Sequence, residues 1–297
     1  MPSPDLAGYE RAVALIASGR RADALACLRQ AIAQGAAGYA QAYGNLAALL
    51  RGSGRAAAAA RACERGLALQ PAPSVAAVLH FNAANAYRDQ LQLQPALQHY
   101  DQAVALEPQH VGFQLNRALA LLLAGDEPRG WPAYEWRLRA QVDLLPPLPP
   151  ELPRWQGGAL ARGRLLVVAE QGIGDLVQFM RYGPLLRRWA PAGVDLLVRQ
   201  ELWPLAQASV DPLFDALLQE EDLKTHASHG AWVPLLSLPG LLGLRPSQGQ
   251  VLRQAPYLQA DPERVDHWRR RLGLAAAAER NPSAPSDPPL IALTWQG

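Results

Sequence analysis

The sequence predicts a protein of the α + α/β class, in which an array of helical hairpins precedes a parallel sheet. Three observations support this prediction. A spacing of small, bulky and helix-ending residues recurs at roughly 34-residue intervals near the N-terminus. Prolines are concentrated within residues 141–160. From Arg164 onward, short apolar runs alternate with amphipathic segments, which is typical of strands and helices in a parallel sheet.

The repeated spacing is Gly-x4-Ala-x3-bulky-x2-small-x4-Pro. It is complete from Gly54 to Pro71 and begins once before that, at Gly19. It returns from Leu91 to Pro108, with leucine in place of the glycine. Alanine lets two helices approach closely, glycine ends the first helix of each pair, and proline ends the second. This part of the chain closely resembles the tetratricopeptide repeat family, which implies a surface that binds a protein or peptide.

A fourth helical pair departs from the repeat. Its second helix contains RGWPAYEWR, in which Trp131, Tyr134 and Arg137 follow one another at three-residue spacing. Either the aromatic residues cap the end of the array, or they form a plate on which the next domain packs. A large aromatic cluster close to a domain boundary favours the second interpretation. The predicted array spans residues 1–140, with about three repeats and an atypical fourth hairpin.

The remaining chain is predicted to form one α/β domain. Residues 141–160 are predicted to be a linker, because prolines stop helices and favour extended structure. The runs RLLVVA, VDLLV, FDALLQ and AWVPLL are predicted strands, and LVQFMRYGPLLRRW, ELWPLAQAS and DPERVDHWRRRLG are predicted helices. Asp261 is the predicted N-cap of the last helix. Their alternation predicts a Rossmann-like, doubly wound parallel sheet over residues 161–289. Residues 274–290 are predicted to be a loop, and 290–297 begin with a further strand.

The turn after the first predicted strand is the candidate site, because ligands of such sheets bind beyond the carboxyl ends of the strands. Its glycines allow a ligand to approach the backbone at a helix N-terminus. A dinucleotide site is not favoured, because Val177 stands where the motif requires a third glycine. The turn consists of Glu170, Gln171, Gly172, Ile173, Gly174 and Asp175.

This turn and its surroundings resemble a known family. The turn EQGIGD and the helix LVQFMRY, together with RGWPAYEWR, PRWQGGAL, VPLLSLPGLLG, APYLQAD and IALTWQG, are similar to bacterial glycosyltransferases fused to tetratricopeptide repeats. Those enzymes are relatives of the lipopolysaccharide heptosyltransferases and have the two-domain GT-B fold. The resemblance covers residues 110–297 and implies the first half of that fold, without the half that binds the nucleotide-sugar donor. Turnover is then expected to be slow or absent, because holding donor and acceptor together supplies much of the rate.

The resemblance implies a role for Asp175, which corresponds to an acidic residue that serves as catalytic base in the heptosyltransferase relatives. Such a carboxylate removes the proton of an acceptor hydroxyl group. The alternative is that Asp175 only caps its own helix. For the other candidates a purely structural role is also open; these candidate substrate-binding residues are Glu170, Gln171, Gly172, Gly174, Gln178 and Ser237.

Composition restricts the partners and the location. The net charge of +2 is evenly spread, and without a basic stripe nucleic-acid binding is not expected. Cys27 and Cys63 are predicted core thiols, and His226 and His229 lack a third ligand, so neither a metal nor a cofactor is predicted. No apolar run reaches the about 18 residues of a membrane span, and no signal peptide precedes the array, so a cytoplasmic location is expected.

Two functions fit this sequence. The first is a tetratricopeptide-repeat protein of a glycosyltransferase family that recruits a protein or glycan acceptor, with catalysis in doubt. The second is a non-catalytic scaffold for protein–protein interaction.

Overall fold

The first half of the chain is an array of helical hairpins, and the computed structural model describes residues 7–34, 39–140, 145–224, 228–244 and 257–272. The helices are α1 Ala7–Ala17, α2 Arg21–Ala33, α3 Ala40–Gly52, α4 Ala56–Ala68, α5 Pro73–Asp89, α6 Leu93–Leu106, α7 Val111–Leu123, α8 Glu127–Tyr134 and α9 Arg137–Ala140. Each pair packs within its hairpin and against the next one. The predicted tetratricopeptide-like array is confirmed. Within the described ranges, no helix combines the length and apolarity needed to cross a membrane.

The turns inside the hairpins explain the repeated glycine. Gly19, Gly54 and Gly125 have φ angles of 76°, 72° and 76°, and each donates its amide to the carbonyl three residues earlier. Leu91 stands in the third hairpin with φ of 58° and makes the same bond, to the Arg88 carbonyl at 2.8 Å. This left-handed conformation is unfavourable for a residue with a β-carbon. The packing of the hairpin therefore imposes the turn geometry even where the sequence lacks glycine.

The cysteines lie in the array. Cys63 is fully buried in α4, and burial raises the pKa of its thiol to about 12. Cys27 in α2 is only half-buried, and its Sγ donates to the Gly8 carbonyl at 3.4 Å. The prediction of a core thiol is confirmed for Cys63 and was too strong for Cys27.

The second half contains a four-stranded sheet in which all neighbouring strands are parallel. The strands are β1 Arg164–Val168, β2 Val194–Leu197, β3 Ala216–Leu218 and β4 His229–Pro234, in the order β3-β2-β1-β4. All four predicted strands are confirmed. The helices are α10 Ile173–Phe179, α11 Gly183–Leu186, α12 Trp203–Leu213, α13 Leu238–Leu241 and α14 Pro262–Arg271. The prediction of α14 with Asp261 as its N-cap is confirmed, since that carboxylate accepts the Glu263 and Arg264 amides.

The prediction of a single helix over residues 176–189 is wrong. This segment is divided into α10, a 3-10 turn at Met180–Tyr182, and α11. Pro184 has no N–H to donate to the preceding turn of a continuous helix. A β-carbon on Gly183 would lie 2.5 Å from the Leu213 carbonyl oxygen, so the chain also passes close to its neighbour here.

Helices cover one face of the sheet, and the proline-rich segment covers the other. Leu165 and Val167 pack into the core formed with the helices. Leu166 and Val168 point to the opposite face, where they are covered by apolar side chains that include Leu145, Leu148, Leu152 and Leu223. A doubly wound sheet has helices on both faces. No second helical layer covers this face among the described residues, so the doubly wound, Rossmann-like arrangement stays a prediction.

The proline-rich segment is accordingly part of the α/β unit and not a free spacer. The backbone N–H of Trp155 donates to the Trp232 carbonyl in β4 at 2.7 Å, and Trp232 N–H donates to the Pro153 carbonyl at 3.0 Å. Trp155 itself is buried in the sheet core. His226, the predicted loop 274–290 and the predicted strand 290–297 lie outside the described residues.

Candidate functional site

The fourth hairpin packs directly on the α/β unit. Trp131 and Tyr134 both contact the core of the sheet and its helices. The rings of Trp131 and Phe179 meet edge to face at a centroid distance of 6.0 Å. On the other side, a β-carbon on Gly240 would lie 3.0 Å from that of Trp131, so glycine allows this close approach. The docking interpretation of the aromatic cluster is confirmed.

A buried network of charged side chains joins the two halves. The Arg137 guanidinium, whose residue is only 2% exposed, donates to Glu170 Oε1 at 2.5 Å and to Ser237 Oγ at 2.8 Å. It also donates to Glu135 Oε1 at 2.8 Å. Arg154, from the proline-rich segment, donates to Glu135 and to Ser237. Burial alone would lower the pKa of Arg137, but the two carboxylates outweigh it and raise the pKa. The network thus holds together the last hairpin, the proline-rich segment and the sheet.

Glu170 has a structural position in this network. Its Oε1 also accepts the Leu236 amide at 3.1 Å, while its buried Oε2 has no hydrogen-bond partner among the residues that the structure describes. Burial raises the pKa of Glu170, and Arg137 only partly opposes this effect. Glu170 is 0% exposed, and Ser237 is also buried. The expectation that these two residues contact a substrate is corrected, because neither is accessible to a ligand in this structure.

An open cleft of about 340 Å³ lies between the array and the end of β1. One wall is apolar and is formed by Leu115 and Leu119 of α7. Opposite them are the three predicted site residues that the structure brings together. Among the described residues, the cleft is lined by Leu115, Leu119, Tyr134, Arg137, Gln171, Gly172 and Asp175. Gly174 and Gln178 are exposed on the same turn and helix, but they do not line this cleft.

The turn after β1 is held by side-chain hydrogen bonds. Gln171 has a φ of 64°, its Nε2 donates to Tyr134 Oη at 3.0 Å, and its carbonyl accepts from Arg199 Nη2 at 2.8 Å. The Gly172 amide donates to Asp175 Oδ2 at 3.3 Å, which ties the start of α10 to its own third residue. Asp175 therefore acts as a cap from inside the helix. Its carboxylate remains half-exposed beside the cleft.

His229 lies away from the candidate site. It is the first residue of β4, at the amino-terminal ends of the strands, whereas the candidate site lies beyond their carboxyl ends. Its Nε2 lies 3.0 Å from Asp195 Oδ2. Arg164 also donates to Asp195. Burial opposes ionisation of Asp195, but Arg164 and His229 lower its pKa to about 2. In the part of the chain that the structure describes, no group of three or more histidines, cysteines or carboxylates could hold a metal ion.

Sequence reasoning missed the apolar wall and the second arginine of the network. For Leu115 and Leu119 a signal was present, because α7 carries more leucines than one buried face needs. Leu119 is 41% exposed, although it belongs to a helix packed on both sides. Arg154 had no such signal. It reaches Glu135 only because the proline-rich segment folds back on the sheet.

Comparison with known proteins gives a limited match. No family model matches the sequence. The chain is similar to protein FlbA of Caulobacter vibrioides, with 30% identity over 172 residues, covering 54% of this chain and 28% of FlbA. The chain therefore spans well under half the length of this curated relative.

Solved structures with similar helical arrays include MamA of Desulfovibrio magneticus RS-1, at 18% identity and a TM-score of 0.39, covering 46% of this chain and 73% of MamA. Another is a tetratricopeptide repeat protein of Parabacteroides merdae, at 16% identity and a TM-score of 0.39, covering 46% of this chain and 53% of that protein. By its own structure the chain belongs to the class of tetratricopeptide-like repeat proteins. Its array is joined through a buried interface to a small parallel α/β unit.

Proposed function

We propose that this chain is a scaffold that binds an extended peptide segment of a partner protein along the first helices of its hairpins. The observation that carries this proposal is a row of asparagines at equivalent positions in α3, α5 and α7. The positions are equivalent because each asparagine lies the same number of residues before the small residue that lets the next helix of the repeat pack closely. These pairs are Asn45 with Ala59, Asn82 with Ala96, and Asn116 with Gly130.

The row is continuous because its members bond across neighbouring helices. Asn45 Nδ2 donates to Tyr9 Oη at 3.1 Å, and Asn82 Nδ2 donates to the Gly44 carbonyl at 3.3 Å. Both side chains are half-buried, and within the described ranges their amide oxygens accept no hydrogen bond. An amide oxygen held in this way can accept the backbone N–H of a bound peptide. The third member differs, because Asn116 Oδ1 already accepts Arg88 Nη1 at 2.9 Å and its Nδ2 donates to the Gly112 carbonyl of its own helix. The row thus offers two acceptors, Asn45 and Asn82, to an extended chain.

Apolar side chains on the same helices favour this use of the surface. Val13, Val78, Leu119 and Leu123 are all exposed, although α1, α5 and α7 bury other faces. Exposed apolar groups beside ordered polar ones are typical of protein-binding surfaces. Leu119 also forms the wall of the cleft, so a peptide on the array would continue towards the end of β1.

Selection of random peptides on the full-length chain, followed by fluorescence polarisation, tests the proposal. In the variant Asn45→Ala/Asn82→Ala, two hydrogen bonds to the peptide are lost, and affinity is expected to fall about tenfold or more. The matched control is Gln30→Ala/Gln102→Ala, which removes two exposed amides from the second helices α2 and α6. Equal affinity of the two double variants for every selected peptide would refute the peptide-binding role of the row.

A second proposed function concerns the cleft, namely binding of an acceptor for glycosyl transfer by a Rossmann-like half of a GT-B enzyme. Support comes from the position of the cleft beyond the carboxyl end of a parallel strand. The half-exposed carboxylate of Asp175 is available there to take up a hydroxyl proton. A cytoplasmic setting belongs to the same proposal and fits the unpaired Cys27 and Cys63.

Release of nucleoside diphosphate from a panel of nucleotide sugars tests this second function. Where release is measurable, Asp175→Asn is expected to lower it by about two to four orders of magnitude, because the base is lost. Asparagine keeps an oxygen that can accept the Gly172 amide, so the helix start is retained. Asp211→Asn, an exposed change in α12, is the control. Undiminished release in Asp175→Asn would exclude the base role.

A further inference from the structure

We propose that the fourth hairpin of the array builds the candidate site, with Tyr134 and Arg137 as positioning residues for the turn after β1. In this view the α/β unit does not form the site by itself, because the conformation of Gln171 and Glu170 depends on contacts from the array. The inference rests on the proposed binding role of the cleft, but its test needs no ligand.

The local sequence of the turn does not account for its conformation. Gln171 adopts a φ of 64°, which a side chain disfavours, whereas the adjacent Gly172 has a φ of −96° that any residue can adopt. A turn determined by its own residues would have placed the glycine at the left-handed position. Such a strained residue persists only when its surroundings hold it. The cause is therefore to be found in contacts from other parts of the chain.

Those contacts come from the array for Glu170 and Gln171. Tyr134 Oη accepts the Gln171 side-chain amide at 3.0 Å, and Arg137 donates to the Glu170 carboxylate at 2.5 Å. A third contact comes from the α/β unit itself, where Arg199 donates to the Gln171 carbonyl at 2.8 Å and fixes the peptide group. Two consecutive residues of the turn are thus each held by a different side chain of one hairpin.

The hairpin is rigid enough to impose this geometry. Tyr134 is packed against the sheet core, and the Arg137 guanidinium lies 4.8 Å from the centre of its ring. Arg137 is in turn held by Glu135 and Ser237. Because Tyr134 and Arg137 are themselves held in place, their hydrogen bonds restrict the positions of Gln171 and Glu170.

The same hairpin residues also line the cleft. Tyr134 and Arg137 face it beside Gln171, Gly172 and Asp175. The site is therefore composite: the array supplies the apolar wall and two positioning side chains, and the α/β unit supplies the turn. A ligand that reaches this cleft contacts both halves at once.

Hydrogen exchange of the full-length chain, measured by mass spectrometry on peptides covering residues 169–176, tests the proposal. Tyr134→Phe removes only the hydroxyl, so exchange in this segment is expected to accelerate about two- to tenfold, the effect of one net hydrogen bond. The control Tyr9→Phe removes a hydroxyl that also accepts a side-chain amide, that of Asn45, but in the first two hairpins of the array, and it should leave exchange in the segment unchanged. Unchanged exchange in Tyr134→Phe would overturn the proposal, as would an equal acceleration throughout the α/β unit.

A double-mutant cycle then assigns the effect to this hydrogen bond. Gln171→Gly removes the strained side chain together with its amide, so adding Tyr134→Phe should cause no further acceleration. An undiminished effect of Tyr134→Phe in the glycine background would show that the tyrosine acts in another way and would overturn the assignment. Hydrogen exchange is measured without a ligand, so it does not depend on whether the chain binds a peptide or takes part in sugar transfer. The positioning role of Tyr134 and Arg137 can therefore fail or hold independently of the proposed functions.

Discussion

Leu91→Gly is expected to raise the free energy of unfolding, because this leucine occupies a turn that three other hairpins form with glycine. Its φ is 58°, and the hydrogen bond from the Gln92 amide to the Tyr87 carbonyl, at 2.9 Å, matches that from Arg55 to Leu50 in the second hairpin. The leucine side chain is 73% exposed, so little buried area is lost on its removal. The substitution therefore changes the backbone strain and almost nothing else.

The magnitude follows from two opposing contributions. A side chain in the left-handed region costs roughly 1–2 kcal/mol. Glycine loses more conformational freedom on folding, which offsets roughly 0.5–1 kcal/mol of that gain. The net stabilisation is expected to be about 0.5–1 kcal/mol, or about 2 °C in melting temperature for a chain of this size.

Urea unfolding followed by circular dichroism measures this difference. The reverse substitution, Gly54→Leu, is the matched control, because no atom of the described residues lies within 4 Å of a β-carbon built on Gly54. It should lower the free energy of unfolding by a similar amount, without a steric clash. A decrease in stability for Leu91→Gly, with the expected decrease for Gly54→Leu, would refute the reasoning and show that the exposed leucine makes a stabilising contact.

Three further predictions concern the α/β unit and its junction with the array. Asp195→Asn should cost about 2 kcal/mol at pH 7, since Arg164 helps lower the pKa of Asp195 from 3.8 to about 2 despite burial. This loss of unfolding free energy should disappear as the pH falls from 3.8 to about 2 and Asp195 becomes protonated. A loss that urea unfolding finds to be the same at all pH values would contradict the ion pair. Burial raises the pKa of Glu170, so its ionised form is unfavourable in the folded chain. The free energy of unfolding of Glu170→Gln should therefore increase relative to that of the unmodified chain as the pH rises above 4.5. A difference in unfolding free energy that stays constant between pH 4 and 8 would count against this. Trp131→Ala should cost about 3 kcal/mol and loosen the contact with Phe179, and an unchanged calorimetric transition would argue against docking.

Much of the fold could be predicted from the sequence, because its signals are local. The repeat is visible where glycine or proline ends a helix, as at Gly54 and Pro71, and the strands are visible as apolar runs such as β1. The N-cap Asp261 needs only three neighbouring residues to act. Features of this kind are determined within one or two turns of the chain, and they were predicted correctly.

The site could be predicted only in part. Gln171, Gly172 and Asp175 lie in the turn and first helical residues after β1, and strand ends mark ligand sites in parallel sheets. Glu170 was misassigned, because its ion pair with Arg137 depends on how the array docks. No local pattern distinguishes a carboxylate that faces a cleft from one that is buried against a distant arginine.

The proline-rich segment has a consequence for the order of folding during synthesis. Each hairpin of the array is closed by contacts between neighbouring helices, so it can fold as soon as its own residues have been made. The segment around Trp155, in contrast, bonds to Trp232, which is synthesised much later. Until β4 is available, β1 lacks one paired neighbour, and the proline-rich segment lacks the strand to which its backbone bonds. The finished array with Trp131 already in place then offers the growing sheet a surface on which to assemble.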